Sequence, residues 1–170
     1  NLLCRENIER NFTYLFDKFG YGATVYAPVA GGLLTNKFTE AVEKETTRFA
    51  TPLISKLFSY EKFFSPEKTK ESQRRWKELL EIAKELGTDN LTILATAWAV
   101  KNNDVSTTII GFTKPEYVED AVKAVLLSKK ITKEIEEKIT SIVGTNPDLG
   151  LNWKTRQPNP DRRVSQYKVL

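Results

Sequence analysis

Two stretches of the chain combine residue types suited to holding a planar, phosphate-bearing ligand. The first runs Tyr26-Ala27-Pro28-Val29-Ala30-Gly31-Gly32-Leu33-Leu34-Thr35-Asn36-Lys37-Phe38. Its leading aromatic offers a flat apolar face to a planar ring. Ala30, Gly31 and Gly32 are small enough to let a ligand approach the backbone amides, and Lys37 adds a positive charge that suits a pyrophosphate. The second stretch is Ile110-Gly111-Phe112-Thr113-Lys114-Pro115-Glu116-Tyr117-Val118-Glu119-Asp120. Gly111 and Thr113 precede a predicted helix start, where unpaired amides and the helix dipole attract anions. Each stretch also has a plainer reading. Tyr26 suits a core aromatic at a strand end, Gly31-Gly32 a turn, and Thr113 a helix cap. The two stretches fall at corresponding ends of successive predicted strands, and that favours the ligand reading.

Composition removes other chemistries. The chain has 170 residues and no histidine, so it has no histidine-dependent nucleophile and no histidine-ligated metal. Its one cysteine, Cys4, excludes an internal disulfide and a cysteine zinc site. Cys4 reads as a structural thiol. Lysine and arginine number 26 against 22 acidic residues, a net charge of +4. The excess sits at the end, where Lys154, Arg156, Arg162, Arg163 and Lys168 face only Asp161. No aromatic-basic interleaving accompanies it, so no nucleic-acid partner is expected. No apolar run is long enough for membrane insertion, and no leader is visible. The expected location is cytoplasmic. The sequence has no methionine, not even at position 1, and the expectation is a part of a longer polypeptide.

The elements around the two loops follow from periodicity. Ile8, Phe12, Leu15, Phe16 and Phe19 predict a helix over residues 5–19, stopped by Gly20. A strand is expected over 23–27, then an irregular stretch over 29–64. Ser65-Pro66-Glu67 reads as the start of a helix that ends at Gly87. A buried helix follows to Ala99, then a strand over 106–110 whose apolar end suits a parallel sheet covered on both faces. A helix opens at Thr113 and runs to about Ala124, and Thr132 caps a last helix to Val143. From Thr145 the periodicity ends, and the tail reads as a docking or disordered segment. Strands separated by helices predict an α/β fold with a parallel sheet. Two strands cannot close one, and a (β/α)8 barrel takes about 250 residues. The chain therefore reads as the C-terminal part of such a barrel, about strands 7 and 8 with their helices, over 1–146. Residues 147–170 form a basic tail.

The first loop resembles the strand-seven loop of aldo-keto reductases. Leu94-Ala-Thr-Ala-Trp98 with Val105-Ser-Thr-Thr-Ile-Ile-Gly111 resembles their following helix and eighth strand, and Asn1-Leu-x-x-Arg-Glu6 resembles the segment after strand six. Within the family the similarity is to beta subunits of voltage-gated potassium channels and related reductases. The resemblance implies an NADP(H)-binding barrel. Tyr26 would stack on the nicotinamide, Ala27, Pro28, Val29, Ala30 and Gly32 would line the pyrophosphate, and Lys37 would contact phosphate. Arg48 matches, in spacing, an arginine at the cofactor's phosphate end. Gly111 and Thr113 would hold the adenosine 2′-phosphate, with Tyr117 and Asp120 around the adenine. Tyr117, Asp120 and Ala121 stand where the family usually has other residues, and Ala121 cannot hydrogen-bond adenine. Lys114 is a candidate for extra phosphate charge.

The implied activity is NADPH-dependent reduction of aldehydes or ketones, with a small carbonyl substrate. The alternative is a regulatory, channel-associated subunit, homotetrameric, that uses bound NADP(H) as a redox sensor. A scaffold without cofactor is a third reading. The family's catalytic residues lie on earlier strands, so no residue here is assigned a catalytic role, and the segment alone is not expected to turn over substrate.

Overall fold

The computed structural model describes residues 1–149, with the backbone of 151–152 and 157–158. Two strands make the sheet that positions both loops: β1 (Ala23–Tyr26) and β2 (Val105–Ile109). They pair in parallel, with Thr24 beside Thr107 and Tyr26 beside Ile109. Parallel pairing needs a long crossover. Residues 27–104 provide it, in several short helical turns followed by helices α2 (Pro52–Leu57), α3 (Tyr60–Phe64), α4 (Thr69–Glu85) and α5 (Leu91–Val100). Helix α1 (Thr13–Phe19) precedes β1, and α6 (Tyr117–Ser128) and α7 (Lys133–Val143) follow β2. In the tail, β3 (Leu151–Asn152) pairs antiparallel with β4 (Gln157–Pro158).

The core lies between the crossover helices and the first loop. Helix α4 buries Ser72, Trp76, Leu79, Ile82 and Ala83, one stripe at helical spacing. Trp76 is fully buried, and its indole N–H donates to Leu33 O at 2.5 Å. Phe38, Phe49, Tyr60 and Phe64 pack ring against ring beside it. Full burial of one such side chain stabilises by about 1.5–3 kcal/mol, so this aromatic cluster sets the shape of the first loop from behind. Helix α5 is buried almost all round, from Leu91 through Ala99 except Thr92.

The N-terminal segment is tied down by a buried ion pair. Arg5 Nε donates to both Glu9 oxygens at 3.1 and 2.9 Å, and its Nη1 donates to Thr140 Oγ1 of α7 at 3.2 Å. The guanidinium lies 5.3 Å from the Trp98 ring centroid on α5.

Several expectations change. The helix over 5–19 divides into a π-helical turn, Asn7–Asn11, and α1. Of its apolar stripe only Phe16 is buried, while Phe12, Leu15 and Phe19 are exposed. The strand starting at Ala23 ends at Tyr26, because Ala27 takes a left-handed conformation (φ 51°). Ser65 does not cap α4: its carbonyl accepts from Lys68 and Thr69 in a turn, and the helix starts at Thr69. Thr113 does not cap α6, which begins at Tyr117 after a Lys114–Pro115 turn. Strand β2 is not covered on both faces, since Ser106, Thr107 and Ile109 are exposed. The Thr132 cap holds, accepting from Ile135 N, with Gly144 left-handed at the far end. Trp76 and Trp98 lie in the core. Trp153 and most of the basic tail fall outside the described residues.

Candidate functional site

β1 and β2 end at the same level, with Tyr26 opposite Ile109. Their following loops therefore leave the sheet side by side, where parallel α/β folds place their ligands. The first loop turns sharply. Ala27, Ala30, Gly31 and Gly32 all have positive φ (51°, 50°, 67° and 108°). At Gly31 the geometry requires glycine twice over: the conformation is left-handed, and an added Cβ would sit 2.5 Å from the Phe58 ring. The turn is held by short bonds. Ala27 O accepts from Ala30 N at 2.9 Å and from Asn1 Nδ2 at 3.1 Å, and Gly32 O accepts from Thr35 Oγ1 at 2.8 Å.

Two asparagines join the site's elements, Asn36 tying the first loop to the start of α5 and Asn90 tying α5 to α6. Asn36 Nδ2 donates to Asp89 O at 2.6 Å, and Asn36 Oδ1 accepts from Leu91 N at 2.7 Å. Asn90 is the N-cap of α5, its Oδ1 accepting from Thr92 N at 2.9 Å. Its Nδ2 donates to Asp120 Oδ2 on α6 at 3.0 Å. Cap loss alone typically costs about 1 kcal/mol. We expect Asn90→Ala to destabilise by about 1–2 kcal/mol, lowering the thermal midpoint by about 2–8 °C. Circular dichroism melting checks this, and an unchanged midpoint would show the bridge to be idle.

Between the loops, α5 and α6 lies a cavity of about 890 Å³, within the range of ligand sites. Of the residues singled out from the sequence, Tyr26, Ala27, Pro28, Val29, Gly32 and Lys37 line it from the first loop. Gly111, Thr113, Tyr117 and Asp120 line it from the second, and Arg48 reaches it from the crossover. Ala30 does not. It is 2% exposed and packs into the core, because the left-handed turns point its methyl inward. Lys114 does not line the cavity either. Its Nζ lies 6.0 Å from the Tyr117 ring centroid and 4.0 Å from Glu116, on the outside.

The chemistry of the wall is divided. Lys37 and Arg48 form no ion pair among the described residues, so both charges are available to an anion. Asp89 and Asp120 contribute carboxylates beside Asn90. Tyr26 is 65% exposed and presents its ring to the open side. Sequence reasoning missed Phe58, Asn36, Asp89, Thr92 and Thr96, which also line the cavity. Asn36 carried a faint signal as a polar residue in the loop. Phe58 and Thr96 carried none, since tertiary packing alone brings them there. No group of three potential metal ligands occurs among the described residues, and no described helix is long and apolar enough to cross a membrane.

The model of the aldo/keto reductase family matches residues 1–140. A protein of Schizosaccharomyces pombe named as a voltage-gated potassium channel subunit beta is 38% identical over 148 residues, 86% of this chain and 41% of its own length. Proteins of the same designation from Oryza sativa subsp. japonica and Arabidopsis thaliana are 32% and 30% identical over 147 residues, each match covering 86% of this chain and 43% of the relative. The chain thus spans about two fifths of the length of these relatives.

Proposed function

Since the chain belongs to the aldo/keto reductase family, we propose that its cavity binds NADP(H) and that it forms the cofactor-binding portion of a reductase for aldehydes or ketones. The observation that carries this reading is the convergence of Tyr26, Lys37, Arg48, Gly111 and Thr113 on one cavity. The residues fit such a ligand. Gly32 in the cavity wall has nothing within 4 Å of an added Cβ, and Lys37 and Arg48, without an ion pair among the described residues, border a space large enough for a dinucleotide. The Tyr26 ring would take the nicotinamide face, the loop from Ala27 to Gly32 the pyrophosphate, and Lys37 and Arg48 the phosphate charge. When bound, the cofactor would supply a hydride to a carbonyl carbon. The acid and base for that reaction are expected from residues outside this chain.

The same reading accounts for the uncovered surfaces. No further strand pairs with β1 or β2 among the described residues. Val118, Val122, Val125 and Leu126 on α6 are exposed, as are Tyr14, Leu15 and Phe19 on α1. Parallel strands are stable when covered on both faces. We read residues 1–146 as the C-terminal part of a (β/α)8 barrel, with the remaining strands and helices covering these faces, and 147–170 as an appended tail.

Titration with NADPH, read by quenching of tryptophan fluorescence, tests the cofactor assignment. Lys37→Ala and Arg48→Ala are each expected to weaken binding about 10-fold or more, the worth of a charge-assisted hydrogen bond. The loss should shrink as salt rises. Absence of binding at millimolar NADPH or NADH would sink the proposal and leave the scaffold reading. A second reading, a channel-associated redox sensor, draws on the names of the three relatives. A four-fold assembly that pulls down a channel's soluble domain would favour it.

A further inference from the structure

We propose that Asn36 is a positioning residue: it fixes Lys37 as the cation that meets the ligand's phosphate, and it closes the adjoining helix end to that phosphate. The inference rests on the dinucleotide reading above and adds a residue that acts through Lys37. A helix opens with four amides that have no helical partner, and an open set of them attracts anions. Helix α5 opens against the cavity, which Asp89, Asn90 and Thr92 line. All four of its leading amides are taken. Asn90 N donates to Thr88 Oγ1 at 3.3 Å, Thr92 N to Asn90 Oδ1 at 2.9 Å and Ile93 N to Asn90 O at 3.1 Å. Those acceptors are neighbours in sequence. Leu91 N alone of the four takes its acceptor from far along the chain, Asn36 Oδ1 at 2.7 Å. The other end of the same side chain, Nδ2, donates to Asp89 O at 2.6 Å.

The Asn36 carboxamide thus accepts from one main-chain group and donates to another two residues away. A carboxylate of the same size can only accept, and an apolar side chain does neither. Lys37 is the next residue. On its other side Phe38 is 3% exposed and packs against the rings of Phe49, Tyr60 and Phe64. The turn Asn36–Thr39 is closed by Thr39 Oγ1, which donates to Asn36 O at 2.8 Å. The Lys37 backbone is therefore held through both neighbours, and its long side chain starts from a fixed point in the cavity wall. A fixed origin lowers the cost of ordering that side chain on a ligand. The start of α5 repels an anion by comparison. It has no free leading amide, and Asp120, which accepts from Asn90 Nδ2 at 3.0 Å, adds a negative charge there. Asn36 makes both conditions hold with one side chain.

The test is a pair of double-mutant cycles read by NADPH titration. One combines Asn36→Ala with Lys37→Ala, the other Asn36→Ala with Arg48→Ala. Lys37→Ala is expected to cost about tenfold in the parent and under about threefold once Asn36 is alanine. Arg48→Ala should cost about tenfold in both backgrounds, since Asn36 does not hold it. Asn36 is neutral, yet Asn36→Ala should remove part of the salt sensitivity of binding, because the cation it positions contributes less. A purely structural role would move neither readout in this way. Asn36 is exposed, so Asn36→Ala should fold and melt within about 5 °C of the parent. A variant that no longer folded would assign Asn36 to stability and overturn the inference. An unchanged tenfold cost of Lys37→Ala, or an equal shrinkage for Arg48→Ala, would overturn it while leaving the dinucleotide site standing. Failure of the parent to bind NADPH would overturn both.

Discussion

Glu9→Ala is expected to destabilise the chain by about 3–5 kcal/mol, the usual penalty for stripping one partner from a buried ion pair. The side chains of Arg5 and Glu9 are only 1% and 4% exposed, with Arg5 Nη2 2.7 Å from Glu9 Oε2. Without the carboxylate the guanidinium stays buried beside Trp98, with Thr140 Oγ1 as its remaining side-chain acceptor. For a chain of this size the thermal midpoint should fall by about 6–20 °C. Arg5→Lys should not preserve the parent's stability, because an ammonium cannot reproduce the forked contact. The double variant Arg5→Met with Glu9→Leu should recover most of the loss, since removing both charges removes the desolvation penalty with them. Thermal and urea melts of the four proteins decide it. A Glu9→Ala protein that melts with the parent would mean that water reaches Arg5 and the pair contributes little.

Gly31→Ala is the second large effect. We expect a loss of about 2–3 kcal/mol of stability, from left-handed strain on a Cβ-bearing residue plus displacement of Phe58. The added methyl would meet three Phe58 ring atoms at 2.5, 2.7 and 2.9 Å. Phe58 lines the cavity and meets Phe49 edge-on at 6.5 Å, so it cannot shift without disturbing both. NADPH affinity should fall at least tenfold, through distortion of the wall. Gly32 is the control. Its φ is larger, 108°, but nothing lies within 4 Å of its added Cβ, so Gly32→Ala should show backbone strain only. A double-mutant cycle with Phe58→Ala separates the two terms. Coupling should appear with Gly31 and not with Gly32. If Gly31→Ala melted and bound like the parent, the clash would not be a real constraint.

The parts that the sequence made legible were those with local causes. Helix α7 was readable because Thr132 and Gly144 bracket a 3.6-residue stripe, and α5 because its apolar run follows Asn90. The two loops stood out through glycine and charge, and the parallel pairing of β1 and β2 placed them side by side. Ala30 was misplaced because spacing cannot tell which way a small side chain points from a left-handed turn. Ser65 looked like a cap because Pro66 usually follows one, yet its turn closes before the helix starts. The apolar stripe that includes Leu15, Phe16 and Phe19 predicts a helix, yet most of it lies exposed. Periodicity reports that a face is apolar, not that the cover lies within the same 170 residues. Phe58 and Thr96 escaped notice because nothing local distinguishes them, and only the folded crossover carries them to the cavity.

The open sides of the two-stranded sheet have a consequence for how the chain behaves in company. The β2 strand reads Val105-Ser-Thr-Thr-Ile109 and continues into Ile110, a run without charge or proline and rich in β-branched residues. Its outer edge, which pairs with no other strand among the described residues, offers a ready template for another extended segment. Taken out of any larger assembly, such an edge favours self-association through added strands. Fibre or amorphous aggregate should then compete with the monomer as concentration rises. A lysine at the solvent-facing Thr107 would oppose that growth by setting like charges against each other across every new ladder.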